Sequence, residues 1–491
     1  MTFRQNSSIQ SELVIGIIGP VGCNRKSIID TITTMAQHYS YRAVQIGLSD
    51  VIKKHVAVPD FMGDQYVRVT QLMDAGNKLR HETNDNAILA KLAAIQIATI
   101  RNQQPLPANN RVIYVIDSIK HPDEVEELRN IYGEGFYLIA VHSSEKSRDT
   151  YLRTHCAILE ASKRNILINR DKDEKIGYGQ STSEAFHLAD FFLLEDGHSN
   201  RAWNSLERFL DIIFGNPFKT PTFHEYAMFM AYAASTRSAD MSRQVGAVLA
   251  KNKDIISTGA NECPKPMGGT YWPIFDGNTF LISDVENGRD FMNNVDRNAK
   301  EKYEIIEALK KDMPADVLEL LEKNIKASGL NDITEYGRVV HAEMDAILSC
   351  ARRGISCDKA VIFCTTYPCH NCAKHIIASG IKEVVYIEPY PKSKAHDMHS
   401  DAIRTPDDAT SKDKVLFNPF VGVGPRRFVD LFSMSLSIGE KLKRKRKDSF
   451  EKSVWDRSNA RPRIKMFPTS YIENEKIVET ETTEKLKMLV K

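Results

Sequence analysis

The sequence predicts an α/β protein with two domains, and three observations support this prediction. Short apolar runs alternate with helical patterns from Leu13 to Asp196. A segment with two prolines, residues 216–225, interrupts that alternation, and a second series of strand and helix patterns follows it. The chain has 491 residues, of which 42% are hydrophobic and 26% are charged. These values are ordinary for a globular protein of two or three domains.

The first domain is expected to contain a parallel sheet with crossover helices. Its apolar runs have the length of strands that are buried on both faces, and helical patterns separate most of them. The runs are LVIGII (13–18), RAVQIGL (42–48), RVIYVID (111–117), FYLIAVH (136–142) and DFFLLED (190–196). We place this domain at residues 1–215, and we interpret NPFKTPTFHE (216–225) as a linker because of its prolines.

The second domain is predicted over residues 216–440. A helix that begins near Pro221 precedes a hairpin at 245–261 and a charged, helical insertion at about 263–330. A helix, a strand, a second helix and a second strand then follow between His341 and Glu388. Residues 441–491 form a basic, polar tail, which is either solvated and flexible or able to bind RNA or another polyanion through KLKRKRKD.

Composition favours a cytoplasmic protein without a membrane anchor. The opening residues are polar and do not resemble a signal peptide. The longest nearly apolar stretch, residues 87–100, is too short to span a bilayer and contains Lys91. The net charge of +2 gives no indication of a nucleic-acid partner. In a reducing compartment, a close pair of cysteines binds metal or performs redox chemistry more often than it forms a structural disulfide.

One such pair lies in TYPCHNCAK, where Cys369 and Cys372 are separated by two residues. Pro368 favours the start of a helix, which would place both thiols in its first turn, where thiolates are stabilised. His341 lies upstream, at the start of another helical pattern. One imidazole and two thiolates make three protein ligands, and a tetrahedral zinc ion would keep its fourth position for water, as catalytic zinc does. A redox pair is the alternative, but it leaves His341 unexplained.

Glu343 supplies the missing proton carrier in this constellation. It lies two residues after His341, so it can reach an attacking water without binding the metal. A carboxylate there can take the proton from water and return it to a ring nitrogen and a leaving amine. Zinc nucleobase deaminases have this H-x-E and P-C-x-x-C signature. The pattern therefore predicts hydrolytic deamination.

At these residues the sequence resembles the cytidine deaminase superfamily, and most closely the deoxycytidylate deaminases. The likeness extends to 235–250, 257–264 and 417–432, and it covers about 222–432 apart from the insertion. It implies a mixed sheet sandwiched by helices and an oligomer. It also implies that Asn261 hydrogen-bonds the deoxyribose 3′-hydroxyl, although a plain turn residue is the alternative. Arg237, Ser242 and Arg243 could meet the substrate phosphate or could equally be solvated surface.

The stretch GIIGPVGCNRKSIID (16–30) resembles the phosphate-binding loop of nucleotide kinases. Such a loop implies that backbone groups around Gly19 and Gly22 cradle phosphate, that Lys26 reaches it, and that Ser27 and Asp117 support Mg²⁺. The spacing from Gly19 to Lys26 is one residue longer than usual, and Arg25 replaces the usual glycine. Residues 162–180 resemble a kinase lid. A regulatory nucleotide with Mg²⁺, a kinase activity and a purely structural domain all remain possible.

The combination of the two domains resembles the bacterial anti-phage dCTP deaminases. The resemblance implies conversion of deoxycytidine nucleotides, dCMP and/or dCTP, to deoxyuridine nucleotides and ammonia, which depletes the dCTP pool. It also implies control by an inhibitory small RNA or another regulator. One alternative is a deaminase that acts on single-stranded nucleic acid or tRNA. The other is an RNA- or nucleotide-sensing regulator with a degenerate deaminase domain, and the intact Glu343 argues against it.

Overall fold

A computed structural model describes residues 12–60, 62–103, 111–172, 174, 177–311, 313–327, 336–390, 394–408, 413–436 and 438–489. The polar opening segment lies outside the described residues, as does part of the lid-like stretch. The chain divides into two compact units. The first unit comprises Met1–Tyr226, Ile387–Pro391 and Pro419–Lys491, and the second comprises Ala227–Tyr386 and Lys392–Asn418.

The strands are, in chain order, β1 (Leu13–Ile18), β2 (Arg42–Gly47), β3 (Val112–Ile119), β4 (Phe136–His142), β5 (Phe191–Leu194), β6 (Gly246–Lys251), β7 (Asp254–Ala260), β8 (Ile274–Phe275), β9 (Ile282–Ser283), β10 (Val361–Cys364), β11 (Glu383–Tyr386), β12 (Ile403–Arg404), β13 (Val415–Pro419) and β14 (Gly422–Val423).

The helices are α1 (Arg25–His38), α2 (Leu48–His55), α3 (Gln65–Thr83), α4 (Ile88–Gln103), α5 (Pro122–Tyr132), α6 (Glu145–Thr154), α7 (Ala161–Lys172), α8 (Thr182–Phe186), α9 (Ser199–Ile213), α10 (Phe223–Ser235), α11 (Arg297–Lys310), α12 (Ala315–Ala327), α13 (Ala342–Arg352), α14 (His370–Ala378), α15 (Ala395–Met398), α16 (Phe428–Phe432) and α17 (Pro468–Leu489). No helix among the described residues is both long enough and apolar enough to cross a membrane.

The sheet of the first unit has the strand order β14-β5-β4-β1-β3-β2 among the described residues. The strands β1 to β5 pair in parallel, and β14 pairs with β5 in the antiparallel direction. Every residue of β1 and β4 is buried, as the apolar runs of the sequence predict for strands that are covered on both faces. A parallel-rich sheet with intervening helices is thus confirmed. The loops that follow β1, β3 and β4 emerge at the same edge, where α/β sheets bind ligands.

At the end of the chain, α17 packs within the first unit. The basic run at 441–448 is mostly exposed, and both interpretations of it, a solvated segment and a polyanion-binding one, stay predictions. Glu475 in α17 accepts hydrogen bonds from Arg101 Nη1 at 2.5 Å and from the Tyr132 hydroxyl at 2.9 Å. Arg101 Nε also donates to Glu12 at 3.0 Å, so one buried guanidinium bridges two buried carboxylates. The sequence did not reveal this packing, because the partners of Glu475 lie on other elements of the fold.

A second anchor of this region is Asp211, at the end of α9. Its carboxylate accepts hydrogen bonds from Arg457 Nε at 2.9 Å and from the Tyr39 hydroxyl at 2.6 Å. It also lies 3.1 Å from Lys219 Nζ. Burial alone would raise the pKa of Asp211, but the hydrogen bonds from Arg457, Tyr39 and Lys219 outweigh burial and lower the pKa. The carboxylate is therefore ionised in the folded protein at neutral pH.

The sheet of the second unit has the order β12-β13-β11-β10-β6-β7 among the described residues. The β6–β7 hairpin is antiparallel, β10 pairs antiparallel with β6, and β10 and β11 are parallel. Helix α13 packs directly on β7 because Gly259 has no side chain. A Cβ atom at residue 259 would lie 2.1 Å from the Ala342 carbonyl oxygen. The insertion contains α11, α12 and the small hairpin β8–β9.

Candidate metal centre and active site

His341, Cys369 and Cys372 meet in the second unit, as their sequence spacing predicts. His341 Nδ1 lies 3.3 Å from Cys369 Sγ and 3.4 Å from Cys372 Sγ. The three donor atoms all lie within 4.8 Å of one another. A tetrahedral zinc ion with bonds of about 2.3 Å to sulfur and about 2.0 Å to nitrogen would separate sulfur from nitrogen by about 3.5 Å. The donor set and its spacing therefore fit zinc.

Two helix N-termini create this arrangement. His341 is the residue that precedes α13, and Cys369 occupies the same position before α14, with extended backbone angles in both cases. Cys369 Sγ accepts a hydrogen bond from the Cys372 backbone N–H at 3.4 Å. A hydrogen bond from the Cys372 thiol lowers the pKa of Cys369 to about 4, against the opposing effect of burial, and His341 lowers it further. Cys369 is therefore a thiolate at neutral pH, the form that binds metal.

Glu343 lies beside these ligands, in the first turn of α13. Its side chain is only 3% exposed. Burial raises the pKa of the Glu343 carboxyl above its usual range, the negative Cys369 raises it further, and His341 opposes the shift. A raised pKa makes this carboxyl a stronger proton acceptor than a free glutamate, which suits it to take a proton and return it. The geometry thus allows Glu343 to act as a proton carrier next to a metal.

Asn261 follows β7 and is buried, with both ends of its amide group engaged. Its Oδ1 accepts a hydrogen bond from the Val245 N–H at 2.7 Å, and its Nδ2 donates to the Arg243 carbonyl oxygen at 2.8 Å. These bonds fix the loop before β6. The amide keeps one further donor and one further lone pair. Its contact with a deoxyribose hydroxyl stays a prediction.

Arg237 is enclosed by the protein. Its guanidinium lies 4.4 Å from the centre of the Trp272 ring, and its Nη1 is 3.7 Å from Asp345 Oδ2. It also hydrogen-bonds the Thr270 hydroxyl. These contacts leave the Arg237 side chain 18% exposed, and a phosphate contact would have to compete with them.

Ser242 and Arg243 are exposed on the loop before β6. Both backbone N–H groups donate to Asp240 Oδ1, at 2.8 and 3.1 Å. The Ser242 hydroxyl points to Asp296, at 3.4 Å. The pKa of His341 is raised, chiefly by its hydrogen bond with Cys369, and the positive charge of Arg243 opposes that shift. The charge of Arg243 therefore acts on His341, and its role toward phosphate stays a prediction.

The sequence analysis missed Glu262. This residue is 1% exposed, and its backbone pairs with Val340, the residue directly before His341, at 3.0 and 3.2 Å. Its carboxylate accepts from the Ala239 N–H at 3.1 Å and lies 3.4 Å from Nε of Arg289. Glu262 thereby links the His341 segment, the loop before β6 and the insertion. Its sequence signal is weak, a glutamate placed directly after β7 and Asn261.

In the first unit, the residues that were expected to bind one phosphate do not face a common site. Gly22 has a positive φ of 84°, and a Cβ there would lie 2.9 Å from the Arg148 carbonyl oxygen. Arg25, not Lys26, faces Asp117, with Nε 2.9 Å from Oδ1. Lys26 is exposed and shares a surface groove with Ser27 and Trp203. One extra residue rotates a helix by about 100°, which accounts for the exchange of Arg25 and Lys26.

Comparisons with known proteins agree with the geometry of the metal centre. A family described as the cytidine and deoxycytidylate deaminase zinc-binding region matches residues 286–388, which include the metal ligands and Glu343. The deoxycytidylate deaminase of Enterobacteria phage T2 is 36% identical over 173 residues, covering 34% of this chain and 79% of that protein. For the phage T4 deoxycytidylate deaminase the identity is 35%, covering 34% of this chain and 77% of that protein.

Among solved structures, the dCMP deaminase of cyanophage S-TIM5 is similar, with 19% identity, a TM-score of 0.22 and coverage of 41% of this chain and 99% of that one. The extent of the phage T2 match and the complete set of metal ligands lead to one conclusion. This chain belongs to the family of cytidine and deoxycytidylate deaminases.

Proposed function

We propose that this protein hydrolytically deaminates deoxycytidine nucleotides, dCMP and/or dCTP, to deoxyuridine nucleotides and ammonia. The observation that carries the proposal is the buried carboxyl of Glu343 beside the ligand set of His341, Cys369 and Cys372. The phage relatives are named as deoxycytidylate deaminases, which supports a deoxycytidine nucleotide as the substrate.

A zinc ion held by the three ligands would lower the pKa of water and supply hydroxide near neutral pH. Glu343 takes a proton from the attacking water on its carboxylate oxygen and transfers it to N3 of the cytosine ring. A C–O bond forms at C4, and the C4–N bond breaks as Glu343 passes a second proton from the oxygen to the leaving amine. Water is consumed, ammonia leaves, and Glu343 returns to its starting state.

The residues around the loop before β6 would place the nucleotide. Asn261 is held rigidly by Val245 and Arg243, so its remaining hydrogen-bonding capacity has a fixed direction for the sugar. The exposed side chain of Arg243 suits the phosphate, because its charge acts close to the metal ligands. The enclosed Arg237 would instead shape the pocket through Trp272.

We further propose a defence role, in which deamination depletes the dCTP pool that phage replication needs. The support is the presence of two α/β units in one chain, the arrangement that resembles bacterial anti-phage dCTP deaminases. Under this proposal the enzyme is a cytoplasmic homo-oligomer that a small RNA or another factor holds inactive. A regulatory nucleotide with Mg²⁺ has weaker support, because Lys26 is exposed and Asp117 is engaged by Arg25.

The test is a chromatographic time course of the zinc-loaded full-length protein with dCMP, dCTP, CTP, cytidine and a cytosine-containing oligonucleotide. We expect conversion of dCMP or dCTP to the uracil product. Conversion of the oligonucleotide alone would replace the proposal with deamination of nucleic acid. If none of the five substrates is converted by protein that contains one zinc per chain and is free of bound RNA and protein factors, the proposed activity is wrong.

A further inference from the structure

A buried carboxylate occupies the loop of the first unit that a phosphate was expected to occupy. Asp171, near the end of α7, is 0% exposed. Its Oδ2 accepts a hydrogen bond from the Val21 backbone N–H at 2.9 Å. Its Oδ1 lies 2.6 Å from Lys120 Nζ, which also donates to the Gly19 carbonyl oxygen at 2.6 Å. An internal anion therefore engages a loop N–H and a lysine, the usual partners of a nucleotide phosphate.

Asp171 is held there in its charged form. The hydroxyl of Tyr390 donates to Oδ2 at 2.6 Å. Burial alone would raise the pKa of Asp171, but the charge and hydrogen bond of Lys120, together with Tyr390 and the Val21 N–H, lower it.

The same cluster contains Arg148, a buried cation whose hydrogen-bonding groups are only partly used by the described residues. Arg148, in α6, is 2% exposed, and its guanidinium lies 4.8 Å from the centre of the Tyr390 ring. Its Nε donates to the Ser143 carbonyl oxygen at 3.2 Å. Its Nη1 is buried and has no hydrogen-bond partner among the residues that the structure describes. No ion pair joins Arg148 to a carboxylate within that same part of the chain.

A buried guanidinium without a counter-ion is unfavourable, and an anionic ligand would relieve that cost. Among the described residues, the partly or fully buried cations around the loop include Arg25, Lys120 and Arg148. Asp117 pairs with Arg25 and Asp171 pairs with Lys120, which leaves the charge of Arg148 unpaired. The guanidinium of Arg148 could thus bind an anion in addition to the carboxylate of Asp171, which pairs with Lys120.

We propose that this cluster binds the phosphate of a nucleotide, with the Val21 N–H, Lys120 and Arg148 as donors, and that Asp171 occupies the site when no nucleotide is bound. Binding requires the end of α7 to withdraw its carboxylate, so Asp171 and the nucleotide compete for the same donors. The donor set excludes Lys26, which the sequence motif favoured, and requires no Mg²⁺. The inference concerns the first unit and does not depend on the deaminase activity.

The test measures binding of ATP and of inorganic phosphate to the full-length protein by calorimetry, in EDTA, with wild type, Asp171→Asn, Asp171→Glu and Asp171→Asn/Arg148→Met. ATP is used because it carries no cytosine. We expect Asp171→Asn to bind ATP at least tenfold more tightly than wild type, because the competing charge is removed while the shape remains. Adding Arg148→Met should abolish that gain, whereas adding the exposed Lys146→Met on the same helix should not.

Asp171→Glu keeps the charge and should bind ATP as weakly as wild type. An equal gain in Asp171→Glu and Asp171→Asn would mean that loosening of α7, rather than charge, controls the site, and would overturn the proposal. Equal affinities of Asp171→Asn and wild type would overturn it too, as would retained binding in the double variant. Binding of inorganic phosphate without binding of ATP would refute the assignment to a nucleotide.

Discussion

Replacing Glu343 by glutamine should abolish most of the activity while it preserves the metal centre. The change keeps the size of the side chain but removes its ability to carry a proton. Loss of one general acid–base group typically costs about 10²- to 10⁴-fold in rate, or about 3–5 kcal/mol in the barrier. Asp345 cannot substitute, because its carboxylate accepts from the Ala260 N–H at 3.3 Å and faces Arg237 at 3.7 Å. We therefore expect kcat to fall by about 10⁴-fold.

The assay is steady-state kcat on dCMP and dCTP, together with zinc content by mass spectrometry. Glu343→Gln should retain one zinc per chain, because the three ligands do not include Glu343. Glu304→Gln makes the same chemical change on an exposed part of the insertion and serves as the matched control. Cys369→Ala should lose both zinc and activity. A Glu343→Gln enzyme with a kcat within tenfold of wild type would refute the role of this carboxyl.

Three further predictions concern the scaffold. Gly259→Ala should force α13 away from β7, lower the free energy of unfolding by about 1–3 kcal/mol and reduce kcat, as measured by urea unfolding and kinetics. Arg101→Met should lower the free energy of unfolding of the first unit by about 3–5 kcal/mol, because it leaves Glu12 and Glu475 buried without their cation. Asp211 has a folded pKa below its unfolded value of about 3.9, so it stabilises the fold above that pH and loses this contribution as pH falls through the folded pKa. Asp211→Asn should therefore lower Tm at pH 7 but less so at pH 3.

Each of these has a clear contrary result. Unchanged unfolding of Gly259→Ala would mean that the helix and strand can separate without cost. A fully stable Arg101→Met protein would mean that the two carboxylates are solvated or protonated in the fold. A Tm difference between wild type and Asp211→Asn that is constant with pH would mean that the carboxylate is not stabilised by its cations.

The sequence specified the parts of this protein whose signals are local. The buried parallel strands appear as continuous apolar runs because both of their faces are covered. The metal ligands could be identified because zinc restricts both the residue types and their spacing, and because helix N-termini have recognisable prolines and caps. Glu343 followed from its separation of two residues from His341. None of these inferences needed the position of a distant part of the chain.

Only the tertiary structure showed which direction a side chain faces from its helix and which distant residues contact one another. The spacing of the motif showed one extra residue before Lys26, but only the fold showed that Arg25 faces Asp117 and that Lys26 lies on the surface. The buried carboxylates Glu262 and Asp171 appear in the sequence as ordinary charged residues. Their partners lie on other elements of the fold, and burial of a charge is favourable only when such partners converge. The sequence therefore does not show whether a charged side chain is exposed to water or buried against a partner, because the fold supplies that partner.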